Sequence, residues 1–571
     1  MVKKATSLIW KIIPFLYLVL ILWVNVVNWL HGASGMFFGV LILTVFSLLL
    51  LVVFQFISIR WESLGDGVRR IITVILFGVY FALLLFCASR LWCDVYDTWD
   101  FGILIRSSYG IAFEGDIVDP SYYATYANNT FLLQLLTGVG RIARLLGVKD
   151  IYGFLKTAIA VNCVVICLSA VFFYLAADRA FGRGAGLLTQ CMMMCSLPIY
   201  AYAAIPYTDT FGLLPLGVGL YLFACFLDTA SGKKRYFCAA GLALTLAIGY
   251  KIRPSLIIVM IAFVIVLVLQ ACGASWEMGK NTEAGKRGLT GPIAVFLAGS
   301  ILVVLALNFS TNTFLDRYGV SSEMRQAQAF PFTHWIMMSL NPYNDGGFMD
   351  TDVALTASVE GKDAKNAQAL SQIKERIRAM GIRKTLYHVF HTKVVHQWRY
   401  GSYSTGAYLG RHGLNETLLR EFVANKGKYN RIYRMITQGF YCAILLLCLL
   451  TGINLKKCSP FSMALRLIFI GIFLFYLLWE VNARYLVVFH PVFVLLACES
   501  VSVWGQTIWK RRVLNGECPP PDARKDRRCV VDISFVIWCR CFFNTAFKPF
   551  IIWGKLMQAL RQRLFHRKSV Y

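Results

Sequence analysis

Residues 35–59 read GMFFGVLILTVFSLLLLVVFQFISI, 25 positions without a charge. As a helix rising 1.5 Å per residue this stretch reaches ~37 Å, more than the ~30 Å hydrocarbon core of a bilayer. Uncharged runs of similar kind recur at 12–30, 71–89, 157–177, 184–203, 210–227, 236–250, 254–271, 291–309, 435–454, 467–479 and 485–504. The runs at 236–250 and 467–479 are short for a span. The pattern predicts an all-α polytopic membrane protein with about 12 transmembrane helices (11–13). Composition agrees: of 571 residues, 58% are hydrophobic and only 15% charged. Soluble domains run near 25% charged, so a soluble enzyme, a disordered regulator and a disulfide scaffold are excluded.

The charge pattern orients the chain. With the N-terminus in the cytoplasm, the inner segments 1–11, 60–70, 178–183, 228–235, 272–290 and 455–466 carry 17 Lys and Arg, against three in the short outer loops 31–34, 204–209, 251–253 and 480–484. This is the positive-inside bias. It accounts for a net charge of +27 without a nucleic-acid partner. The tail 505–571 adds 14 Lys and Arg, mixed with Trp and Phe, and suits a cytoplasmic helix lying on anionic lipid. The N-terminal Lys3, Lys4 and Lys11 precede a run that reads as a retained span, not a cleaved signal. The 17 Cys include no C-x-x-C pair, and several (Cys191, Cys195, Cys442, Cys448) lie within apolar runs as small hydrophobes.

Two outer regions are long. In 90–156, the Arg-interrupted stretch 131–147 is expected to be an interfacial or partly inserted helix, because a span there would reverse the charge bias of every later helix. In 310–434, an amphipathic helix is expected near 364–380. The expected layout is an extra pair of helices over 1–69, a transmembrane core over 70–309 with a catalytic outer loop 90–156, the outer loop 310–434, the last helices over 435–504, and the tail 505–571.

Chemistry is sought where ionisable residues meet the membrane surface. Asp94, Asp97 and Asp100, spaced i, i+3, i+6, would share a helix face or cluster in a turn. A carboxylate there, beside Trp92 and Trp99, suits a general base. The plainer reading is a solvated acidic loop. Tyr122, Tyr123, Tyr126, Asn128 and Asn129 suit a sugar, by ring stacking and amide hydrogen bonds, or an interfacial aromatic belt. Tyr207-Thr208-Asp209, Lys251 and Arg253 before Pro254, and Glu480 with Arg484-Tyr485 lie at outer ends of spans. Their cations suit a phosphate. Snorkelling, or an i,i+4 pair between Glu480 and Arg484, is the plainer alternative. The second loop adds His334-Trp335, the turn Asn344-Asp345-Gly346-Gly347, and Lys393 with Trp398. Gly138 to Ala143 fits a dinucleotide fingerprint but lacks a βαβ setting, and no P-loop is present.

In this order the features resemble the GT-C membrane glycosyltransferases, above all the bacterial protein O-mannosyltransferase and aminoarabinose-transferase group. Trp99-Asp100-Phe101-Gly102, followed by Tyr122 through Asn129, is similar to that group's Asp and later tyrosine-proline-asparagine-asparagine stretch, with Ala127 in place of proline. Tyr207-Thr208-Asp209, Lys251-Ile252-Arg253-Pro254, Pro331 through Trp335, and Glu480 through Tyr485 match later elements, so the likeness covers roughly residues 70–505. It implies a GT-C-like fold and transfer of a sugar from a polyprenyl-phosphate donor to an extracytoplasmic acceptor. Asp100 would be the catalytic base, with Asp97 and Asp94 as runners-up. Lys251, Arg253, Arg484 and Tyr485 would hold the donor phosphate. Tyr123, Tyr126, Asn128, Asn129, Tyr207, Asp209, His334, Trp335, Lys393, Trp398 and Glu480 would contact substrate. The expected partners are the lipid-linked donor, the acceptor and the bilayer, in the plasma membrane with both termini inside. No cofactor is predicted, and the number of carboxylates leaves a divalent metal open. A lipid or solute transporter, and a polymerase or ligase of lipid-linked glycans, are the alternatives.

Overall fold

The computed structural model describes residues 2–96, 99–229, 232–272, 288–410, 413–453 and 458–514. It divides into two units, Met1–Ser500 and Val501–Tyr571. The second is described only where a helix ends, so from residue 515 onward the proposed interfacial tail lies outside the described residues.

Three membrane-long helices open the chain: α1 (Val2–Val27), continued by a π-helical turn Asn28–Gly32, then α2 (Phe37–Glu62) and α3 (Asp66–Leu91). The first outer region folds as α4 (Asp100–Tyr109), α5 (Pro120–Thr125) and α6 (Thr130–Leu145). The Asp119 carboxylate accepts the Tyr122 N–H and Pro120 pre-sets the first turn, which fixes the start of α5. Asp150 likewise caps α7 (Ile151–Phe181), accepting from the N–H groups of Tyr152 and Gly153. At 16 residues α6 reaches only ~24 Å. It buries Phe131, Leu132, Leu133 and Leu136 and leaves Leu145 and Leu146 exposed, an amphipathic helix rather than a span.

The run expected at 184–203 is two helices, α8 (Arg183–Met194) and α9 (Leu197–Tyr202). Pro198 lacks the N–H that a continuous helix needs, and it splits the run. Next come α10 (Thr208–Phe211), α11 (Leu213–Asp228), α12 (Lys233–Ile252), α13 (Ile257–Ala271) and α14 (Thr290–Arg317). The second outer region holds α15 (Ser322–Gln328), α16 (Phe332–Ser339), α17 (Asp350–Ala357), α18 (Lys362–Tyr387), α19 (Lys393–Trp398), α20 (Thr405–Leu409) and α21 (Leu418–Val423). The expected amphipathic helix is α18, longer than anticipated and broken at Gly381, whose φ is +68°. The Asn344–Gly347 turn is present, with Asp345 at φ +53° and Gly346 at +80°. The chain ends on α22 (Asn430–Ile453), α23 (Pro460–Leu478) and α24 (His490–Leu514).

Among the described residues, nine helices are long and apolar enough to cross a bilayer. Of the other three runs expected from sequence, 184–203 is broken at Pro198, 236–250 follows the basic Lys233, Lys234 and Arg235 within α12, and 485–504 begins in the 3-10 turn Ala483–Leu486 and continues into α24. The described chain is helical apart from one isolated bridge, Cys93 to Gly413.

Packing is close where small residues permit it. A Cβ on Gly439 of α22 would lie 2.6 Å from the Leu43 Cβ of α2. One on Gly32 would lie 2.2 Å from the Arg399 carbonyl oxygen. There the Asn28 amide donates to the Trp398 carbonyl at 3.0 Å, while Gln438 donates to Asn28 at 3.1 Å, so the C-terminal end of α1 is tied to the 310–434 region. A buried ion pair joins α23 to α24, Arg466 to Glu499 at 3.4 Å, with the Ser462 hydroxyl donating to the same carboxylate. In so apolar a setting neither charge is tolerable without the other.

Candidate functional site

Four short segments, each at a helix end, converge. Asp100 opens α4 with its carboxylate half-buried. Tyr207 precedes α10, and Asp209 lies in that helix's first turn. Arg253 caps the end of α12, where Pro254 forces the chain out of helix. Arg484 and Tyr485 lie in a 3-10 turn, Ala483–Leu486, between α23 and α24. Each polar group sits where a helix stops, since a span interior cannot host it cheaply.

The centre is Asp209, 2% exposed, 3.0 Å from Arg253 and 3.5 Å from Arg484. Neither Asp209 oxygen meets hydrogen-bond geometry, nor do Nε and Nη1 of Arg484, so these are charge contacts off the bonding direction. Arg253 also donates to Thr208 Oγ1 at 3.2 Å. The Arg484 guanidinium is enclosed by rings: Trp99 at 4.1 Å, Tyr408 at 4.5 Å, Tyr207 at 5.3 Å and Tyr485 at 5.5 Å. Burial disfavours its charge, but Tyr408 and Asp209 more than offset this, and its pKa sits above the usual guanidinium range. Two guanidiniums thus share one carboxylate, and the cluster carries a surplus positive charge with unsatisfied N–H groups.

Tyr207 links this cluster to the acidic loop. Its hydroxyl lies 3.1 Å from Asp100 Oδ2 and 3.2 Å from Asn129 Oδ1. It has one proton to share, and the carboxylate is the stronger acceptor. The Asn129 amide donates to the Tyr122 hydroxyl at 2.6 Å. Trp99 packs edge-on to both Tyr207 and Tyr408, at 4.8 Å each. On the other side, the Tyr485 hydroxyl donates to Glu480 at 2.9 Å. Glu480 is 3% exposed, and burial pushes its pKa up to about 7, against the opposing pull of Tyr485 and Arg484.

The remaining expected residues divide. Tyr126 and Trp335 face each other at 6.3 Å, and Trp335 stacks on Trp479 at 5.7 Å, forming an aromatic wall next to Glu480. Asn128 is exposed beside Asn129. Lys251 turns away from Arg253 to donate to Asn308 of α14 at 2.8 Å. Tyr123 is fully buried, its hydroxyl 3.5 Å from the Ile103 carbonyl. His334 is buried with Nδ1 2.6 Å from Thr356 Oγ1, and burial lowers its pKa to about 4, so it is neutral. Lys393, fully buried, donates to the Leu477 carbonyl at 2.7 Å, and burial lowers its pKa to about 7 despite Glu480. Trp398 packs among Phe469, Phe473 and Phe493, away from the cluster. As placed, Trp398, Tyr123 and Lys393 serve packing and loop anchoring, because all three are enclosed by protein.

Asp94 and Asp100 do not share one helix face, since Asp100 opens α4. Asp94 precedes α4 and accepts from the Tyr96 N–H and the Tyr152 hydroxyl, and Asp97 lies outside the described residues. Nor do Glu480 and Arg484 pair, since Arg484 turns to Asp209 and Glu480 to Tyr485. Sequence reasoning missed Trp479 and Tyr408. Trp479 was findable as the ring preceding Glu480. Tyr408, 76 positions before Arg484 in a polar loop, gives no local signal. Among the described residues, no three His, Cys, Asp or Glu side chains gather as a metal site.

Residues 2–503 match the model of a family described as "Conserved hypothetical integral membrane protein". No curated protein matches. Among solved structures, the chain is similar to the oligosaccharyltransferase AglB of Archaeoglobus fulgidus in complex with an inhibitory peptide and a dolichol-phosphate. That match has 14% identity and a TM-score of 0.42 over 82% of this chain and 54% of that one. A second structure of the A. fulgidus oligosaccharyltransferase, tethered to an acceptor peptide, gives 12% and 0.40 over 83% and 54%. ArnT of Cupriavidus metallidurans bound to undecaprenyl phosphate gives 11% and 0.30 over 78% and 81%. The chain thus spans about half the length of the oligosaccharyltransferase chains it matches.

Proposed function

We propose that this chain, which belongs to the family of conserved hypothetical integral membrane proteins, is a glycosyltransferase. It takes a hexosyl or pentosyl group from a polyprenyl-phosphate donor and passes it to an extracytoplasmic acceptor at the plasma membrane. The observation that carries the reading is the surplus of buried positive charge at Arg253 and Arg484, one tyrosine away from a half-buried carboxylate. A phosphate needs the first and an acceptor hydroxyl needs the second. The order of motifs resembling GT-C enzymes supports it independently.

In the proposed step the acceptor oxygen attacks the anomeric carbon in a single displacement. Its proton passes to Asp100. The bond from the anomeric carbon to the phosphate oxygen breaks, and its electron pair leaves on the lipid phosphate. Tyr207 holds Oδ2 of Asp100, leaving Oδ1 to face the acceptor. Arg253 and Arg484 stabilise the charge that grows on the departing phosphate, in a dry setting where fixed charges act most strongly. Lys251, two positions before Arg253, would have to release Asn308 to join the phosphate. Tyr126, Trp335 and Trp479 offer ring faces to the sugar or acceptor.

The test compares cell-envelope glycans by mass spectrometry in strains with wild type, a gene deletion, or Asp100→Asn at matched membrane abundance. Loss of one hexose- or pentose-sized modification in both altered strains is expected. An unchanged profile on deletion overturns the transferase reading. A change on deletion but not with Asp100→Asn overturns the assignment of the base.

A further inference from the structure

A second polar site lies apart from this cluster, sharing no residue with it. Where the turn between α1 and α2 meets the start of α22, a cavity of about 370 Å³ is lined by Gly35, Asn425, Lys428, Asn430, Arg431 and Arg434 among others, none of them acidic. Lys428, Arg431 and Arg434 are exposed, and among the described residues none forms an ion pair. Arg431 and Arg434 lie one turn apart on α22 and so present their guanidiniums on one side. Arg431 also reaches the Gly35 carbonyl at 3.4 Å, and Arg434 lies 5.9 Å from the ring of Tyr400. The nearest carboxylate, Glu421, is engaged with the backbone N–H of Lys428 at 2.7 Å. The cavity is therefore a cationic cup with the exposed Asn425 amide at its edge, while the Asn430 amide is spent on the Phe422 and Val423 carbonyls.

What adjoins the cup selects its ligand. Directly beside it, α2 exposes Phe38 (78%), Ile42 (67%) and Phe46 (61%), spaced i, i+4, i+8 down one helix face. The neighbouring α22 exposes Ile432 and Ile436. The two helices pack closely at Gly439, so exposed apolar side chains of both follow the cup along the chain. A soluble anion would use the cup and ignore these side chains. We propose that the site holds the phosphate headgroup of an anionic phospholipid, with an acyl chain along Phe38, Ile42 and Phe46. Guanidinium pairs bind phosphodiesters through charge-assisted hydrogen bonds, and a zwitterionic headgroup would bring its own ammonium into the same cationic cup.

The test is native mass spectrometry of the full chain released from detergent, titrated with phosphatidylglycerol, phosphatidylcholine or glycerol 1-phosphate. The expected result is retention of phosphatidylglycerol at least tenfold better than of phosphatidylcholine, with glycerol 1-phosphate not retained. Arg431→Gln/Arg434→Gln should abolish that preference, and Arg431→Lys/Arg434→Lys should keep part of it. Equal retention of both lipids by wild type overturns the proposal, as does an unchanged preference in the Gln variant. Binding of glycerol 1-phosphate as tight as that of the lipid overturns the lipid assignment and leaves a plain phosphate site. If the Gln variant fails to reach the membrane, the wild-type arms decide alone. There the preference must also weaken as salt is raised, since exposed cations are screened.

Discussion

Asp209 is the residue on which the cluster depends most, and Asp209→Asn tests this directly. The carboxylate lies 3.0 Å from Arg253 and 3.5 Å from Arg484 and is 2% exposed. At an effective dielectric constant of ~20 each contact is worth about 5 kcal/mol of gross attraction. The net loss is smaller, because the charges were desolvated to make it. Removing one partner of a buried ion pair costs about 3–5 kcal/mol, since the other charge stays buried without compensation. Here two guanidiniums are left facing each other. For a chain of this length, unfolding entropy of about 2 cal/mol/K per residue converts that into a fall of at least ~3 °C in apparent Tm. Tryptophan fluorescence during heating of the purified protein in detergent measures it. A second arm separates the charge argument from a packing one. Adding Arg484→Met to the Asn variant removes one of the stranded charges, so the double variant should lose less than the sum of the two singles. A fall below 1 °C for Asp209→Asn, or strict additivity in the double variant, refutes the picture of one acid neutralising two bases.

Asp100→Asn should leave apparent Tm within ~2 °C and lower sugar transfer about 10²–10⁴-fold, measured as polyprenyl phosphate released in proteoliposomes. Tyr207→Phe should lower it less, because the base remains but its carboxylate is no longer held. Glu480 gives a pH signature. Its folded pKa of about 7 exceeds the usual 4.5, so the folded state holds a proton that the unfolded state gives up. Stability therefore falls as pH rises from about 4.5 to 7 and is flat above, by about 3 kcal/mol in all. Glu480→Gln should raise apparent Tm at pH 8, with the difference vanishing near pH 4.5. Gly32→Ala forces a Cβ against the Arg399 carbonyl and should cost roughly 1–3 kcal/mol. Gly78→Ala in α3 meets nothing within 4 Å and should be neutral or stabilising by ~0.5–1 kcal/mol, read from the same melting curves.

The fold class was legible because bilayer physics writes it in bulk: a 25-residue uncharged run such as 35–59 has few other uses. Where a single residue decides, composition was a poorer guide. Pro198 splits an apolar run that otherwise reads as a span. The site was legible in part for the same physical reason. Asp209, Arg253 and Arg484 stood out because ionisable groups at span ends need a purpose, and they do meet. What sequence could not supply was partner choice. Glu480 and Arg484 are four apart and look like a pair, yet the α-helix ends at Leu478, before both of them, and the two side chains part. Lys251 and Arg253 are two apart and look like a joint phosphate clamp, yet successive positions at a helix end point to different neighbours, Asn308 for one and Asp209 for the other. Trp398 and His334 were credible by residue type alone, but one sequence does not reveal their neighbours, Phe469, Phe473 and Phe493 for the first and Thr356 for the second.

The aromatic enclosure of Arg484 explains how a surplus cation is kept in such a place. Water would solvate a guanidinium well, but here four ring faces stand within 5.5 Å and only one carboxylate is shared with a second arginine. Ring quadrupoles hold a cation without neutralising it. A second carboxylate would hold it more tightly but would cancel the charge that an incoming phosphate needs. Glu480, the nearest candidate for that role, is instead bound to Tyr485 and biased towards its neutral form by burial. The cluster thus stays one charge positive and ready for an anion. This makes the rings as consequential as the charges: Trp99→Leu, which removes the nearest face while keeping an apolar volume, should weaken phosphate-lipid binding although it alters neither member of an ion pair. Calorimetric titration with a short-chain polyprenyl phosphate measures the effect, expected at three- to tenfold from the ~1 kcal/mol typical of one cation–ring contact. Unchanged affinity in Trp99→Leu would mean that the ion pair alone fixes Arg484 and that the enclosure is packing.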